Sequence, residues 1–362
     1  MALAVKCSER GQTGNGMRTH LCVRAEQRAN EERVGLTPAG ARTLLDLGIE
    51  VTVEHSSVRA IPIDGYVAVG CSIADENSWP AAPDDALIFG LKELPEHATP
   101  LRHRHIMFGH AYKGQAPGRV LLDRLASGGG TLYDLEYLVD DNARRVAAFG
   151  YWAGFAGAAV AYHCWVAQQC GSIGSAVSRF ASRDSLIETL RDAWSGHQPR
   201  ALIIGALGRV GTGAADLCDV LGVPITRWDM AETASGGPFP EVLDHELFLN
   251  CILARPGCAV FVPASATVAP RVLRVIGDIA CDPGSDFSPI KVYDEVTTWA
   301  KPARRVHSDP PLDVVAIDNL PSLLPVESSE DYAAQLLSSL CQLTDLQHGV
   351  WQRAESEFRR HL

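Results

Sequence analysis

The chain has 362 residues, of which 46% are hydrophobic and 21% charged, a balance typical of globular proteins and long enough for two domains. Its net charge of −11 argues against a general nucleic-acid binder, because such proteins carry basic surfaces. No apolar run reaches the roughly 20 residues needed to cross a bilayer, so we expect no membrane segment. The scattered cysteines form no CxxC pair, which favours reduced thiols in a cytoplasmic protein over a zinc or redox motif.

The first half of the chain alternates strand-like and helical patterns. Residues 1–17 are polar and glycine-rich, so we expect a disordered extension, with Met17 as an alternative start. Thr37 followed by Pro38 predicts a helix start, and Gly48 predicts its end. Short apolar runs between polar stretches predict strands at THLCVRAE, IEVTVEH, DDALIFGLKE, RHIMFGHA and GTLYDLEYLVD. This alternation is typical of an α/β domain.

A long apolar segment rich in glycine and alanine separates the two halves. The stretch RRVAAFGYWAGFAGAAVAYHCWVAQQC predicts one buried helix that opens at Arg144 and Arg145, and its small residues suit close helix packing. A second α/β unit follows, with strand-like runs at ALIIG, ITRWD, HELFLNCIL, RVIGDIA and LDVVAIDNL. A helical tail completes the chain.

A glycine-rich turn makes the second unit a candidate for dinucleotide binding. The run ALII leads into Gly205, Gly208 and Gly211 and then a helix, whose N-terminus attracts a pyrophosphate. The spacing GxxGxxG is one residue longer than the usual GxGxxG, so a turn in some other βαβ unit is the alternative. Asp229 ends the next strand, where an acid binds ribose hydroxyls, which favours NAD over NADP. Arg227 weakens this preference, because a nearby arginine can host a 2′-phosphate.

Lys92 and His110 each follow an apolar, strand-like run. Open α/β sheets place ligand sites at the carboxyl ends of their strands. A partly desolvated lysine near other cations has a lowered pKa, and histidine titrates near neutrality without help, so we predict an acid–base pair. We assign His97, His103 and His105 to the connecting loop and predict no metal site, because adjacent arginines would repel a divalent ion.

Two other charged clusters leave two interpretations each. The run RAEQRANEER is either a solvated loop with surface ion pairs or a segment that places Arg33 in a cleft to clamp a carboxylate. Arg144 and Arg145 are either an anion clamp at a helix start or ordinary ion-pair partners of Asp140 or Asp141.

Together these segments resemble the family of NAD-dependent, lysine-forming saccharopine dehydrogenases, which is related to alanine dehydrogenase and the transhydrogenase subunit. The similarity runs from about Arg24 to the C-terminal helix, and RRVAAFG and DNLPSLLP are far more specific than a glycine pattern. The matching stretches are RAE…EER…LTP, GLKE.PE, H.YK.Q, GTLYDLE, RRVAAFG..AGFAGAA, LIIGALGR.G.GA, WD..ET..GGPF, NCI and IDNLPSLLP.

We therefore predict an α/β fold of two Rossmann-like domains with parallel-rich sheets and an active-site cleft between them. The predicted substrate-side domain is discontinuous and joins residues 18–148 to 326–362. Residues 149–325 would form the NAD-binding Rossmann domain.

Carried over position by position, the resemblance implies roles for individual residues. It makes Lys92 the general base and His110 the second acid–base group. Substrate contacts would come from Arg33, Lys113, Gln115, Arg145, Phe149, Ala280, Cys281 and Asp282. Cofactor contacts would come from Arg144, Gly208, Arg209, Asp229, Thr233, Leu253, Ile279, Ile317, Asp318, Asn319 and Leu320.

The sequence departs from the family at three places. Val210 replaces the cysteine of the family's GRCG turn, Leu253 stands where the family has tyrosine, and DIACD replaces a Ser-Ala-Asp run beside the substrate. The last departure puts recognition of the substrate side chain in doubt.

The reaction that the resemblance implies is the reversible, NAD-dependent oxidative deamination of saccharopine to L-lysine and 2-oxoglutarate, in lysine biosynthesis through the α-aminoadipate pathway. The alternatives are another opine or amino-acid dehydrogenase of the alanine dehydrogenase type, and a catalytically silent NAD-binding regulator. Expected partners are these small molecules, with no nucleic acid and no membrane. We expect a cytoplasmic monomer or homodimer.

Overall fold

The computed structural model describes residues 18–95, 97–114 and 116–362. The predicted extension at residues 1–17 and the predicted substrate contact Gln115 lie outside these ranges.

The first sheet uses the N-terminal part of the chain. Its six strands are β1 (His20–Val23), β2 (Glu50–Glu54), β3 (Ser72–Ala74), β4 (Leu87–Phe89), β5 (Arg104–Met107) and β6 (Thr131–Asp134). They are all parallel, in the order β3-β2-β1-β4-β5-β6. The central strand β4 is wholly buried, which explains its continuous apolar run. Helices α1 (Pro38–Asp46), α2 (Ile63–Val69) and α3 (Ala116–Gly128) connect successive strands along the chain.

The predicted cap of α1 is confirmed. Thr37 precedes the helix in an extended conformation, and its hydroxyl oxygen accepts a hydrogen bond from Gly40 N at 3.2 Å.

The second sheet is also mostly parallel. Its strands are β7 (Ala201–Ile204), β8 (Ile225–Trp228), β9 (Leu247–Asn250), β10 (Val275–Asp278), β11 (Arg304–Ser308) and β12 (Pro311–Val315). The order is β11-β12-β10-β9-β7-β8, and β11 pairs antiparallel with β12. The predicted α/β fold with parallel-rich sheets is thus confirmed. Short 3₁₀ turns cover Trp79–Ala81, Pro240–Asp244, Ala264–Thr267 and Leu320–Leu323.

Three helices share one apolar core with the second sheet: α4 (Gly150–Gln169), α5 (Arg183–Ala193) and α6 (Arg209–Leu221). Helices α4 and α6 touch backbone to backbone, as the small residues of α4 predict. A Cβ added at Gly154 would lie 1.8 Å from the Val210 carbonyl oxygen, and one added at Gly213 would lie 1.9 Å from that of Tyr151. Glycine is therefore required on both helices at the crossing.

The predicted start of this long helix is wrong. Helix α4 begins at Gly150, and Arg144 and Arg145 lie in the segment before it. That segment is held in an extended turn, because Val139 bridges to Arg145 and Val146 N donates to the Leu138 carbonyl at 3.0 Å. The two arginines therefore do not occupy the N-terminus of a helix.

The end of the chain returns to the first sheet through α7 (Pro325–Leu340) and α8 (Gly349–His361). Helix α7 packs on α1, and α8 packs on β6. Tyr332, Leu336 and Trp351 are completely buried in the same apolar core as Val53 and Phe89. The C-terminal helices α7 and α8 therefore cover the sheet that the N-terminal part of the described chain forms. Across the residues that the structure describes, no helix combines the length and apolarity needed to span a membrane.

Candidate active site

The two sheets turn their carboxyl edges toward one cleft of about 740 Å³. From the first sheet, Lys92 follows β4, His110 follows β5 and Glu136 follows β6. From the second sheet, Ile279 follows β10 and Asp318 follows β12. Ligand sites of open α/β sheets lie at this edge, so the predicted cleft is present where ligands are expected.

Lys92 lies largely buried on the cleft wall beside the cations Arg33 and Arg28. Burial, followed by the charges of those two arginines, lowers the pKa of its ammonium group below the ordinary value for lysine. Within the described ranges, no group hydrogen-bonds to Nζ. The amine is therefore available to take a proton from a bound molecule.

His110 lines the same cleft as Lys92. Its backbone has an uncommon conformation, with φ at 49°. Its ring stacks on Phe108, with a centroid distance of 6.3 Å, and its Nδ1 lies 3.9 Å from Glu136 Oε2. Burial and the charge of Lys92 lower the pKa of the imidazole. The ring is therefore mostly neutral at neutral pH and able to accept a proton.

Glu136 is the carboxylate at the centre of the cationic side of the cleft. Its Oε1 accepts hydrogen bonds from Lys113 Nζ at 3.0 Å and from Arg145 Nη2 at 2.5 Å. Burial would raise its pKa, but Arg145 and Lys113 outweigh that effect and lower it. Glu136 thus holds the two predicted substrate-binding cations together.

Arg33 is buried rather than solvated, so the interpretation as a solvated loop is wrong for this residue. It makes a bidentate pair with Glu31, at 2.8 and 2.6 Å, and its Nη2 donates to Asn319 Oδ1 at 2.8 Å. Its guanidinium lies 4.1 Å from the centre of the Phe149 ring, which stacks in turn on Tyr332. Burial would raise the pKa of Glu31, but Arg33 lowers it, so the pair is ionised. Arg33 lines the cleft as a fixed, planar cation.

The glycine turn fits a pyrophosphate group. Gly205 has a φ of 86°, and a Cβ at Gly211 would lie 2.1 Å from the Gly205 carbonyl oxygen, so both are required to form the turn. Gly208 caps α6 without a side-chain hydrogen bond, and a Cβ there would meet no atom closer than 3.5 Å. Packing within the protein therefore does not require glycine at position 208. Gly208 faces open space at the N-terminus of α6, and a helix N-terminus attracts anions.

Asp229 lies beside this turn, as the sequence predicts. Its Oδ2 accepts a hydrogen bond from Leu207 N at 3.0 Å, and its Oδ1 accepts one from Met230 N at 2.9 Å. Each oxygen keeps a lone pair for a ribose hydroxyl. Arg227 is paired with Asp219 at 3.0 Å, so it is directed to α6 and not to the turn. Thr233 donates its hydroxyl to the Asp229 carbonyl at 2.9 Å and so braces the same loop.

The loop after β10 is anchored by hydrogen bonds to Asp278, the last residue of that strand. Asp278 accepts hydrogen bonds from Tyr293 at 2.6 Å and from Asn250 at 2.9 Å, and burial raises its pKa. Cys281 follows with a φ of 53°, and burial raises the pKa of its thiol to about 12. The loop therefore presents Ala280 to the cleft, whereas Cys281 lies outside the cleft lining.

Most of the predicted site residues meet in the cleft. Its lining includes Arg33, Lys92, His110, Lys113, Arg144, Arg145, Phe149, Arg209, Leu253, Ile279, Ala280, Asp318 and Asn319. The predicted residues outside that lining are Gly208, Asp229, Thr233, Cys281, Asp282, Ile317 and Leu320. The side chains of Ile317 and Leu320 belong to the core of the second domain, so a cofactor could reach only their backbone.

The alternatives for Arg144 and Arg145 resolve differently for each residue. Arg145 pairs with Glu136 rather than with Asp140 or Asp141. The carboxylate of Asp140 accepts a hydrogen bond from Arg144 N at 2.9 Å, and this bond and the charge of Arg144 lower the pKa of Asp140. Asp141 pairs instead with Arg353 at 2.8 Å. Arg144 therefore lines the cleft and also interacts with Asp140.

Two of the clustered histidines belong to the core rather than to a loop. His105 lies within β5, completely buried, with its ring against Trp79 at a centroid distance of 5.3 Å. Burial lowers its pKa to about 3, so it stays neutral. His103 is also buried and hydrogen-bonds to the Ala82 carbonyl at 3.1 Å. The assignment of these two residues to a connecting loop is wrong for His105, because β5 begins at Arg104.

Thirteen lining residues were not among the predicted site residues, and three of these carry a charge or an aromatic ring: Phe108, Glu136 and Arg255. Glu136 had a sequence signal, because it follows the strand TLYD inside the matching stretch GTLYDLE and so stands at the same sheet edge as His110. Nothing in the pattern around Arg255 marks it.

Fold and cleft define a two-domain, dinucleotide-binding α/β protein, and known proteins share this architecture. The structure superposes on an L-alanine dehydrogenase with a TM-score of 0.67 over 95% of this chain and 94% of that one, at 19% identity. A transhydrogenase from Sinorhizobium meliloti gives a TM-score of 0.61 over 91% and 98%, at 16% identity. The family model for the alanine dehydrogenase/PNT N-terminal domain matches residues 22–156.

Sequence comparison narrows the class to one family. The chain is 44% identical to the saccharopine dehydrogenase [NAD(+), L-lysine-forming] of Schizosaccharomyces pombe, over 93% of this chain and 96% of that protein. It is 43% identical to the enzyme of the same name from Yarrowia lipolytica, over 94% and 97%. The chain belongs to the family of NAD-dependent, L-lysine-forming saccharopine dehydrogenases, which confirms the resemblance.

Proposed function

We propose that the protein catalyses the reversible, NAD-dependent conversion of saccharopine and water to L-lysine and 2-oxoglutarate. The observation that carries this proposal is the meeting of Lys92 and His110 with the cations Arg33, Lys113 and Arg145 in one cleft, opposite the glycine turn. The names of the relatives support the same reaction.

Lys92 is proposed as the general base. The substrate nitrogen is a secondary amine, which must lose its proton before the adjacent carbon can give up a hydride. The lowered pKa of Lys92 makes a neutral amine available for this step, and its Nζ is not engaged by another described group. Bound NAD supplies the hydride acceptor.

His110 is proposed as the second acid–base group. Loss of the hydride leaves a carbon–nitrogen double bond in the substrate, to which water adds before the bond to the lysine nitrogen breaks. Both steps move a proton, and a neutral imidazole can accept one and return it. Glu136, 3.9 Å from Nδ1, is placed to stabilise the imidazolium that forms.

Three cations match the three carboxylates of saccharopine. The cleft wall carries three cations, Arg33, Lys113 and Arg145, although the net charge of the protein is −11. This local cluster of cations can attract an anionic substrate despite the negative charge of the whole protein. Phe149, Ala280, Cys281 and Asp282 are proposed to complete the substrate site. Gln115 keeps its proposed role, although it lies outside the described residues.

The cofactor is proposed to lie along the second sheet. Gly208 and the N-terminus of α6 would hold the pyrophosphate, Asp229 the adenosine ribose, and Arg144 and Arg209 the phosphate charge. The remaining proposed contacts are Thr233, Leu253, Ile279, Ile317, Asp318, Asn319 and Leu320.

We also propose a division into a substrate-side domain, 18–148 with 326–362, and an NAD-binding domain, 149–325. Ion pairs and hydrogen bonds such as Arg28–Asp318 and Arg33–Asn319 then cross the cleft, which supports closure over bound ligands. A cytoplasmic location is proposed because cysteines of the described residues, such as the buried Cys164 and Cys218, are free thiols. A monomer or homodimer stays the prediction for the assembly.

The assay that tests the function mixes the purified protein with L-lysine, 2-oxoglutarate and NADH and follows the loss of NADH absorbance. We expect oxidation in this mixture and none with pyruvate and ammonia. Oxidation only with pyruvate and ammonia would indicate an alanine-type dehydrogenase. No oxidation in either mixture, together with tight NADH binding, would indicate a silent regulator.

A further inference from the structure

The segment that carries Lys92 is held by a carboxylate from a neighbouring strand. Glu26 follows β1, and its two oxygens accept hydrogen bonds from consecutive backbone amides, Leu91 N at 2.6 Å and Lys92 N at 3.0 Å. Its side chain is only 8% exposed and does not line the cleft. Glu26 therefore touches the backbone of Lys92 and not the reacting groups.

Arg24 completes this arrangement from the other side. It is buried, its Nη1 lies 3.5 Å from Glu26 Oε2, and its Nη2 donates to the Lys92 carbonyl oxygen. The same Nη1 donates to the Ala25 carbonyl at 3.1 Å. Both backbone polar groups of Lys92, its N–H and its C=O, are thus bound to the Arg24–Glu26 pair.

The chain makes room for this pair at one glycine. A Cβ added at Gly90 would lie 2.5 Å from the Arg24 guanidinium, so any larger residue would push the arginine away. Gly90 stands between strand β4 and Leu91. The stretches RAE, with Arg24 and Glu26, and FGLK, with Gly90 and Lys92, therefore pack closely against each other.

We infer that Glu26, oriented by Arg24, is a positioning residue that fixes where Lys92 Nζ lies in the cleft. The inference rests on the proposed function only for the role of Lys92 as the base. A buried carboxylate with both oxygens engaged by backbone amides holds that backbone rigidly, because releasing either amide leaves it unpaired inside the protein. The side chain of Lys92 then starts from a fixed Cα and reaches the substrate nitrogen in one orientation.

The test compares Glu26→Gln with a control, Glu246→Gln. Glu246 is also a carboxylate that accepts a backbone amide beside an arginine, from Arg200 N at 2.8 Å, and its side chain is 25% exposed. Both variants lose one charged acceptor, but Glu246 precedes β9 in the second sheet and does not line the cleft. Melting temperature, NADH affinity, kcat and the pH profile of kcat/KM for saccharopine are measured for each.

For Glu26→Gln we expect kcat to fall about 10- to 100-fold, the size of effect that a displacement near 1 Å produces. The rise of kcat/KM with pH should move to higher pH, because a displaced, more solvated Lys92 returns toward its ordinary pKa. NADH affinity should stay unchanged. Glu246→Gln should leave kcat and the pH profile as in the wild type.

A second variant covers the case in which Glu26→Gln does not fold. Arg24→Lys keeps a cation beside Glu26 and cannot reach the Lys92 carbonyl in the same way, so the same shift of the pH profile is expected. The inference is overturned if both Glu26→Gln and Arg24→Lys keep the wild-type profile, or if Glu246→Gln shifts it equally. Wild-type protein without saccharopine turnover would instead refute the proposed function.

Discussion

At the scale of single residues, the environment of each side chain decides its chemistry. Lys92 and Lys113 have the same side chain, yet Lys113 is half exposed and paired with Glu136, whereas Lys92 is largely buried among cations. Burial and like charge lower the pKa of Lys92 and leave its amine without a carboxylate partner in the described chain. That difference makes Lys92, and not Lys113, the group suited to remove a proton.

Replacing Lys92 with methionine should therefore remove the rise of kcat/KM for saccharopine with increasing pH. The neutral amine is the active form in saccharopine oxidation, so wild-type kcat/KM should rise with pH and level off below the ordinary pKa of lysine. Lys92→Met should lower kcat about 10²- to 10⁴-fold and flatten that rise. NADH titration is the control and should give the wild-type affinity. Wild-type turnover in this variant would contradict the role assigned to Lys92.

Asp229 offers a test of cofactor preference. Its carboxylate lies at the glycine turn and would bind a ribose diol and repel a 2′-phosphate. Asp229→Ala should raise KM for NAD more than KM for NADP and so narrow the preference. Steady-state kinetics with both cofactors measure this, with Asp123→Ala as a control that removes an exposed carboxylate of α3. An unchanged ratio in Asp229→Ala would argue against the ribose contact.

The sequence could predict some of these residues and not others, for physical reasons. Lys92 and His110 were found because parallel strands deliver their C-terminal residues to one edge, and a strand pattern is local. The burial of Arg33 was left open, because whether an arginine is solvated depends on distant residues such as Asn319 and Phe149. Glu26 was not predicted at all, since its partners are backbone amides, which carry no residue-type signal.

At the scale of elements, the pair α4 and α6 sets the position of the cofactor turn. The two helices meet through Gly154 and Gly213 with their backbones in contact, and α6 begins at the turn itself. A change in their separation would therefore move Gly208 relative to α4. The composition of α4 predicted this close contact, but not its start, because the turn before it depends on a bridge between Val139 and Arg145.

One added methyl group at this crossing should be costly. Gly154→Ala would bring a Cβ within 1.8 Å of the Val210 carbonyl, and the helices would have to separate. We expect a loss of about 1–3 kcal/mol in the free energy of unfolding, with a higher KM for NAD. Denaturant titration measures the stability. Gly284→Ala is the matched control, because nothing lies within 4 Å of its added Cβ; equal stability of the two variants would contradict the tight crossing.

At the scale of the whole molecule, the two ends of the described chain share one core. Trp351 of α8 is completely buried, its ring meets Tyr133 of β6 at a centroid distance of 5.6 Å, and its Nε1 donates to the Ser339 carbonyl at 3.0 Å. Sequence patterns indicated a helical tail, but only the resemblance to a known family suggested where it packs. Long-range packing of this kind has no local signature.

Removing this anchor should loosen the C-terminal helices first. Trp351→Ala should lower the free energy of unfolding by about 3–5 kcal/mol, because it leaves a large cavity. Limited proteolysis should then cut near residues 341–348 before the second sheet is attacked. The exposed-face variant Gln352→Ala is the control and should behave as wild type. Equal protease resistance in Trp351→Ala would contradict the anchoring role.

The shared core also constrains how the protein is made. A ribosome releases β1 to β6 long before α7 and α8, so the nascent first sheet lacks the side chains of Tyr332, Leu336 and Trp351 that bury its apolar face. The glycine-turn domain, whose strands and helices are continuous in the chain, can fold while synthesis proceeds. The core on the Lys92 side of the cleft is therefore completed only after α7 and α8 have left the exit tunnel.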